Sequence, residues 1–557
     1  MLSAILLFLL NCTLYMVNGT CKDGKCKIDR PALLQRNSPV VTSIDTLSSL
    51  SVGNGEFAFT CDVTGLQTFP QLYSHGVPLG TMAQWGWHSF PNTQDYEPDE
   101  VLKAYDFGRG SQEWYSCQFK QGRQKSASDY LRANPHRLHL GYIGFTDMKH
   151  KKIEQIHQQL NLYDGTINSS FLYEGKAIGV TTSCHPDKDM VSASISDTKK
   201  HTVTIRFAYP TGQHSDDASD WTKSHLQRVT LLSSHGNCSV YKRELDAQCY
   251  YIKVHTANAV QNLRENEITL SPSADSWSLS VEFTATQPDT TSPDIEESIS
   301  ATRDYWHTYW NKGGMVDFSK CTDARAKELE RRVVLSQYLT AIQCAGSTPP
   351  QETGLTYNSW FGKFHLEMTW WHQAHFPLWG HPEMLARTLP WYKTASAKAR
   401  EIAERQGLEG VRWMKMTDPS AEEAPSNVGS FLIWQQPHII YMCELLYRST
   451  HSQQVLSDYA DIIDQTAQMM ASYVTYDSIA HRYTLQGCIP AQETLKAAET
   501  INPPFELSYW HFGLSIAQQW RERLGQSRNA KWDDIIQHLS PLCEKDGVYA
   551  AAETADS

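Results

Sequence analysis

The pattern of apolar and polar residues changes about halfway along the chain. From about residue 37 to residue 287, short segments of alternating apolar and polar residues are separated by clusters of Asp, Gly, Asn, Ser and Pro. Segments 177–182 and 277–284 are two examples. Alternation with a period of two predicts strands that bury one face, and many short strands with regular turn signals are typical of a large antiparallel sandwich. We therefore predict an all-β first half.

Beyond Pro293 the apolar residues recur three and four positions apart, as in amphipathic helices. The predicted helices are 295–310, 324–345, 365–376, 382–405, 428–448, 455–474, 505–524 and 530–539. A block of strands followed by a block of helices indicates two domains that pack together. We predict a β-sandwich domain over residues 20–290, a linker helix region over 291–322 and a helical domain over 323–557.

The stretch 349–382 concentrates the candidate chemistry of the second half. It contains many aromatic and histidine side chains and an acid, Glu367, that the pattern predicts to be buried. On the predicted helix 365–376, Glu367 shares a face with Trp370 and Trp371, because residues three and four apart are neighbours. Sugar sites combine these residue types, since the apolar faces of a pyranose ring stack on aromatics while its hydroxyls need fixed acceptors. The alternative is a core helix with a hydrogen-bonded acid.

Composition narrows the class of partner. The 557 residues include 17 Trp and carry a formal net charge of -12. Nucleic-acid-binding proteins present basic surfaces, so we expect no nucleic-acid partner. The high indole content favours a carbohydrate or another flat polar ligand.

Residues 1–19 resemble a secretory signal peptide, with an apolar run from Ala4 to Leu10 that is too short to span a bilayer. We therefore expect a secreted, extracellular or lumenal protein without a membrane partner. Twelve further cysteines permit disulfides, and Cys21 with Cys26 or Cys238 with Cys249 are local candidates. Glycosylation triplets at Asn168 and Asn237, and at Asn18 near the expected cleavage point, fit a glycoprotein.

Several segments together resemble glycoside hydrolase family 65 and the related six-hairpin glycosidases. They are SVGNGEFAF from Ser51, the aromatic linker helix 306–310, LERRVVLSQYL from Leu329, GKFHLEMTWWH from Gly362 and PAQET from Pro490. The resemblance implies an N-terminal antiparallel β-supersandwich followed by an (α/α)6 toroid. Such a toroid has twelve helices, whereas the pattern here predicts about seven, so we expect it to be incomplete at its C-terminal end, with the general base beyond Ser557.

The resemblance also implies roles for individual residues. Glu367 matches the acid that holds the sugar beside the cleaved bond. The family's catalytic acid lies in the loop that matches 410–429, where Asp418, Glu422 and Glu423 compete; we expect Glu423, the closest to the following helix. Burial against Trp360 or Trp413 is expected to raise the pKa of that acid. The further residues expected to bind substrate are Trp370, Trp371, Trp360, His365, Trp413 and Glu493.

A metal site is the alternative for the histidines of this stretch, since His372 and His375 share a helical face. No acid stands at a matching spacing, so we expect no metal and no cofactor. The implied function is a secreted inverting glycoside hydrolase that acts on an α-linked glycoside. The alternatives are a non-catalytic carbohydrate-binding descendant of the fold and a glycoside phosphorylase.

Overall fold

The first half of the protein is built on a nine-stranded antiparallel sheet. The computed structural model describes residues 28–196, 200–289, 293 and 295–555. In spatial order the strands of this sheet are Val40–Val41, Ile153–Asn161, Thr166–Tyr173, Lys176–Cys184, Met190–Ser196, Ser276–Thr284, Gln248–Ala257, Cys238–Leu245 and Gln227–His235. Alternating burial along Thr166–Tyr173 and Lys176–Cys184 gives each strand one core-facing side, as the period of two predicts.

A second antiparallel sheet supplies the other half of the sandwich core. Its strands are Ala259–Arg264, Glu267–Pro272, Val203–Arg206 and Tyr142–Phe145, in spatial order. Ile167 and Ile252 of the large sheet belong to the same buried apolar cluster as Ile205 and Leu270 of the small one. The two sheets therefore share one core, and the predicted sandwich is present.

Smaller strands complete the β elements. A three-stranded sheet contains Leu50–Gly53, Phe57–Cys61 and Thr81–Ala83. Short antiparallel pairs join Trp87–His88 to His136–Arg137, Leu102–Tyr105 to Glu113–Ser116, Ser215–Asp216 to Asn358–Ser359, Phe364–His365 to Met416–Thr417, Thr475–Asp477 to Arg482–Thr484 and Glu544–Lys545 to Val548–Tyr549.

Helices dominate from Ile295 onward. In chain order the α-helices are α1 (Arg30–Asn37), α2 (Pro70–Tyr73), α3 (Gly122–Ala133), α4 (Ile295–Lys312), α5 (Ala326–Cys344), α6 (Thr369–Gln373), α7 (His375–Leu378), α8 (Pro382–Arg405), α9 (His438–Thr450), α10 (Gln453–Tyr473), α11 (Pro504–Arg523) and α12 (Ala530–His538). None of the helices within the described ranges is both long enough and apolar enough to cross a membrane.

Helix α4 connects the two halves and packs against the sandwich. Trp306 and Trp310 are buried in the sandwich core, and the Trp310 indole donates a 2.6 Å hydrogen bond to the Leu162 carbonyl. The helices that follow share a second core, to which Leu389 of α8, Ile440 of α9, Ile463 of α10 and other apolar side chains contribute. Two hydrophobic cores on one chain thus give a β-sandwich followed by a helical half, the coarse architecture predicted from the sequence.

The segment between residues 84 and 137 of the β half contacts the helical half. Trp87 packs edge-on against Phe364 with ring centres 5.7 Å apart, and the Arg137 guanidinium lies 4.0 Å from the centre of the Trp87 ring. Ser116 accepts hydrogen bonds at its carbonyl from the Ser426 amide and the Ser430 hydroxyl. Residues of the β half therefore pack directly against the loops of the helical half around Phe364 and Ser426.

Several predictions need correction. The predicted helix 365–376 begins only at Thr369, because Phe364 and His365 form a strand pair with Thr417 and Met416. The predicted helix 428–448 is a short 3-10 turn, Gly429–Phe431, followed by a separate helix from His438, because Pro437 precedes that helix.

The proposed Cys238–Cys249 disulfide is also wrong. The cysteines within the described ranges have free thiols, and the two residues lie at opposite ends of one hairpin, where Cys238 pairs with His255 and Cys249 with Glu244. Six pairs along a strand correspond to about 20 Å, well beyond the roughly 7 Å limit between Cα atoms for a disulfide. The signal peptide, Asn18 and the Cys21–Cys26 pair lie outside the described residues.

Candidate functional site

The candidate site lies where the loops that precede α6, α9 and α11 meet. At its centre is Lys415, whose Nζ atom is 2.9 Å from Glu367 Oε1 and 2.8 Å from Glu493 Oε1. The side chains of Lys415 and Glu367 are about nine-tenths buried, whereas that of Glu493 is 38% exposed. One ammonium group therefore holds two carboxylates from segments more than a hundred residues apart.

Short-range backbone structure sets up this contact. The strand pair of Phe364–His365 with Met416–Thr417 is extended by a 2.8 Å hydrogen bond from the Leu366 amide to the Lys415 carbonyl. This pairing places Lys415 beside Glu367. Glu493 arrives from the turn after Pro490, where it adopts a left-handed conformation with φ of 59° and its amide donates to the Pro490 carbonyl.

Trp360 forms an aromatic wall next to the lysine. The Lys415 Nζ atom lies 5.1 Å from the centre of the Trp360 ring, and the Arg132 guanidinium carbon lies 5.3 Å from it. Trp360 and Phe361 both have positive φ values, 49° and 62°, in the 3-10 turn Trp360–Gly362. Non-glycine residues in this region store backbone strain, which is concentrated at functional sites in proteins.

A cavity of about 220 Å³ opens beside these residues, and we call it the Lys415 cavity. Its walls consist of Gln118 and Arg132 from the β half and Trp360, Met414, Lys415, Met416, Glu423, Ala424, Ser426, Asn427, Val428, Gly429, Ser430 and Glu493 from the helical half. This volume lies below the range typical of drug-sized ligands and suits a single sugar ring.

Glu423 is the most unusual group in the wall. The residue is only 4% exposed, and its Oε1 atom is in a short contact with Arg405 at the end of α8. Its other oxygen, Oε2, is buried and has no hydrogen-bond partner among the described residues. Leaving a buried polar atom unpaired costs about 1–3 kcal/mol, so this carboxyl is held at a cost in stability.

Electrostatics distinguish the carboxyl groups. Burial raises the pKa of Glu367 to about 7 even though Lys415 lowers it, so this carboxyl holds a proton over part of the neutral range. The two glutamates raise the pKa of Lys415, which outweighs its burial. Burial lowers the pKa of His365 to about 3, and this imidazole is therefore neutral at physiological pH.

The two tryptophans expected to lie beside Glu367 line a different depression, which we call the aromatic groove. Trp370 and Trp371 share it with Trp434, His438, Tyr441, Phe505, Ser508, Tyr509 and Phe512, around a volume of about 360 Å³. His438 connects the groove to the site: Nε2 is 3.0 Å from the Glu367 carbonyl and Nδ1 is 2.8 Å from the Tyr509 hydroxyl. The Glu367 carboxyl itself bonds to Lys415, outside the groove.

The structure therefore divides the predicted site residues. Trp360, Glu423 and Glu493 line the Lys415 cavity, Glu367 contacts it through Lys415, and His365 packs near Trp360 with ring centres 5.6 Å apart. Trp413 is buried in the helical core, where its indole donates a 3.0 Å hydrogen bond to Thr466. The substrate contacts of all these residues stay predictions.

Lys415, Arg405 and Arg132 were missed in the sequence. The sequence signal for these residues was weak. Lys415 is a single basic residue in a mostly apolar segment, and Arg405 and Arg132 are ordinary basic residues in the last turn of a helix. Among the described residues, no group of three or more His, Cys, Asp or Glu side chains is placed to hold a metal ion. His372 and His375 instead bond to the carbonyls of Glu352 and His372.

Neither a protein-family model nor a curated protein sequence matches the chain. Solved structures match it in fold. A protein assigned as a kojibiose phosphorylase from the human microbiome superposes with a TM-score of 0.62 at 10% identity, over 93% of this chain and 72% of its own. A bacterial glucoamylase complexed with acarbose gives a TM-score of 0.45 at 9% identity, over 90% of this chain and 69% of its own. A family 92 α-mannosidase from Bacteroides thetaiotaomicron gives 0.36 at 10% identity, over 87% and 60%.

At these sequence identities the matches concern the fold alone. Only the first of the three has a TM-score above 0.5, and the comparison rests on it. It confirms the expectation drawn from the segments around Ser51, Gly362 and Pro490. The chain shares with that protein a fold in which a β-sandwich is joined to a helical domain.

Proposed function

We propose that the protein acts on an α-linked glycoside and binds one sugar ring in the Lys415 cavity. The observation that carries this proposal is a cavity whose wall brings together Trp360 and two acidic residues, Glu423 and Glu493. An indole face and carboxylate oxygens are the groups that bind the apolar and hydroxyl parts of a pyranose. The fold shared with a protein assigned as a kojibiose phosphorylase supports the same substrate class.

The proposed reaction is inverting hydrolysis with Glu423 as the catalytic carboxyl. Inversion requires one carboxyl that protonates the leaving oxygen and a second carboxylate, about 6.5–9.5 Å away, that activates water. An arginine contact stabilises the charged form of a carboxyl, so protonation of a leaving group by Glu423 requires Arg405 to move away when substrate binds. Glu493 in the same wall is available for sugar hydroxyls.

The test is release of reducing sugar from a panel of α-linked disaccharides by the full chain. We expect Glu423→Gln to lower the rate at least about 100-fold while sugar binding, measured by calorimetry, is retained. Glu422→Gln is the matched control, because Glu422 pairs with Lys398 and is not part of the cavity wall. Formation of a sugar phosphate only in the presence of phosphate would instead identify a phosphorylase.

The second candidate function is carbohydrate binding without catalysis. One specific observation favours it: the acidic residues that line the cavity already contact cations, Glu423 through Arg405 and Glu493 through Lys415. Ion-paired carboxylates accept hydrogen bonds well but are poor proton donors. Sugar binding by the wild-type chain without turnover of any α-linked substrate would establish this function and refute the hydrolase.

We also propose that the chain enters the secretory pathway and carries N-linked glycans. The exposure of Asn168 on a strand and of Asn237 in the turn between two strands supports this proposal, since glycosylation requires accessible asparagines. Expression in eukaryotic cells followed by enzymatic removal of N-glycans should lower the apparent mass of the secreted protein. An unchanged mass, or retention in the cytosol, would refute the proposal.

A further inference from the structure

Arg132 brings a positive charge to the Lys415 cavity, and no acidic side chain among the described residues forms an ion pair with it. It stands in the last turn of α3 and lines the cavity, with its guanidinium 5.3 Å from the centre of the Trp360 ring. Its Nη1 atom donates a 2.8 Å hydrogen bond to the Pro425 carbonyl. Within the described ranges, no carboxylate lies within 4.0 Å of it.

Lys415 in the cavity wall and Arg405, which contacts the wall residue Glu423, differ in this respect. Lys415 contacts Glu367 and Glu493, and Arg405 contacts Glu423. Burial lowers the pKa of Arg132, and Asp129, one turn earlier on the same helix, acts against this effect. A half-buried charge without a counter-charge is costly. The carbonyls at the end of α3 offset a part of that cost, because cations are favoured at helix C-termini.

Neighbouring groups keep this end of the cavity electropositive. The charge of Arg132 contributes to lowering the pKa values of Lys363, His214 and His365. The Lys363 ammonium donates to the carbonyls of Leu131 and Asn134 and thus adds positive charge directly behind the helix end. An anionic group that entered the cavity here would therefore meet a favourable field.

We propose that Arg132 binds an oxyanion and that the sugar ring recognised in the Lys415 cavity bears an acidic substituent. The chemistry is that of a carboxylate, sulfate or phosphate group, each of which a guanidinium binds through parallel hydrogen bonds. The Arg132 guanidinium carbon and the Lys415 Nζ atom lie 5.3 Å and 5.1 Å from the centre of the Trp360 ring, so a sugar ring bound beside Trp360 would have both cations near its substituents. The sugar part of this inference rests on the proposed function, whereas the oxyanion part does not.

The experiment compares neutral and acidic ligands on the full chain. Calorimetry measures the affinities of methyl α-glucoside, methyl α-glucuronide, a glucoside 6-sulfate and inorganic phosphate. We expect at least one acidic sugar to bind about tenfold more tightly than the neutral glucoside, a difference of about 1.4 kcal/mol, and this preference to shrink in high salt. The acidic sugar that shows the largest preference identifies the substituent.

Variants on one helix separate the site from general charge effects. Arg132→Gln should abolish the preference for acidic sugars, and Arg132→Lys should keep a part of it. Arg123→Gln is the matched control: it removes an arginine of the same helix that faces away from the cavity and pairs with Glu100. Unchanged near-ultraviolet circular dichroism verifies that each variant is folded.

The outcomes distinguish the two proposals. Equal affinities for neutral and acidic sugars, or a preference that survives Arg132→Gln, would overturn the oxyanion site and leave the proposed function intact. If no sugar binds, the proposed function fails, and the affinity for inorganic phosphate alone then tests the oxyanion site. Arg132-dependent phosphate binding would support the oxyanion site, whereas no phosphate binding, or equal binding by Arg132→Gln, would overturn it.

Discussion

Lys415→Met is the substitution that tests the organisation of the site most directly. The lysine contacts the buried carboxyl of Glu367 at 2.9 Å and that of Glu493 at 2.8 Å. Methionine fills a similar volume but leaves both carboxyls without their counter-charge. Removing one partner of a buried ion pair costs about 3–5 kcal/mol when the remaining group stays charged. Because Glu493 is partly exposed and solvated, most of this cost arises at Glu367.

The cost must depend on pH. An unfolded glutamate has a pKa of about 4.5, and burial raises that of Glu367 to about 7, a difference of about 3 kcal/mol between the two protonation states. The stability gained from the protonated carboxyl is fully present below about pH 4.5 and is lost as the pH rises through about 7. Lys415 lowers this pKa, so its removal raises it further and makes ionisation in the native state still more costly.

We therefore expect Lys415→Met to lower the free energy of unfolding by about 3 kcal/mol at pH 8 and by about 1 kcal/mol at pH 5, where Glu367 is protonated in both proteins. Urea denaturation followed by tryptophan fluorescence measures both values. Lys496→Met is the control, since Lys496 forms an exposed pair with Glu499 and its loss should cost less than about 1 kcal/mol at either pH. Adding Glu367→Gln to Lys415→Met should remove most of the pH dependence. An equal loss at pH 5 and pH 8 would refute the reasoning.

Three further predictions concern single contacts. Trp360→Ala should weaken sugar binding about tenfold by calorimetry, whereas Trp371→Ala in the aromatic groove should not change it; equal effects would place the sugar elsewhere. Arg405→Met should lower the free energy of unfolding by about 3–5 kcal/mol in urea, with most of the loss recovered when Glu423→Gln removes the unpaired charge; an additive double variant would contradict the ion pair. Gly410→Ala should cost at least about 3 kcal/mol, because a Cβ atom there would lie 2.1 Å from the Gln465 carbonyl oxygen; Gly525→Ala, at a similar φ but in open space, should cost only about 1–2 kcal/mol, and equal losses would exclude the clash.

The sequence predicted the helices well where local signals agreed. Helix α8 was predicted with its observed bounds, because a proline at the first helical position and an apolar stripe mark the same segment. Pro390 lies inside this helix. The strands 177–182 and 277–284 were found for the same reason, since their alternation is a local property.

The arrangement of the site could not be predicted in the same way. The strand pair that orients Glu367 joins residues about fifty positions apart, and its two-residue strands are too short to produce a period. Lys415 is a single cation whose two partners come from distant loops. Glu423 could be named from its place in the chain, but its contact with Arg405 depends on where α8 ends. Trp370 and Trp371 were expected beside Glu367 because a continuous helix was assumed, and the later start of α6 separates them.

The acid with the raised pKa and the acid in the cavity wall are different residues, and this difference bears on the choice between catalysis and binding. Glu367 has the pKa of a proton donor, but its carboxyl contacts Lys415 and is not part of the cavity wall. Glu423 is in the wall, but it contacts Arg405. The Oε2 atom of Glu423 has no hydrogen-bond partner among the described residues, so the Arg405 contact at Oε1 is the only hydrogen bond or ion pair of this carboxyl within that part of the chain. Proton donation by Glu423 needs Arg405 to move away, and this movement would give turnover a conformational requirement that binding lacks. Sugar binding without turnover is therefore expected if Arg405 stays in contact with Glu423, and turnover is expected only with substrates whose binding separates the two side chains.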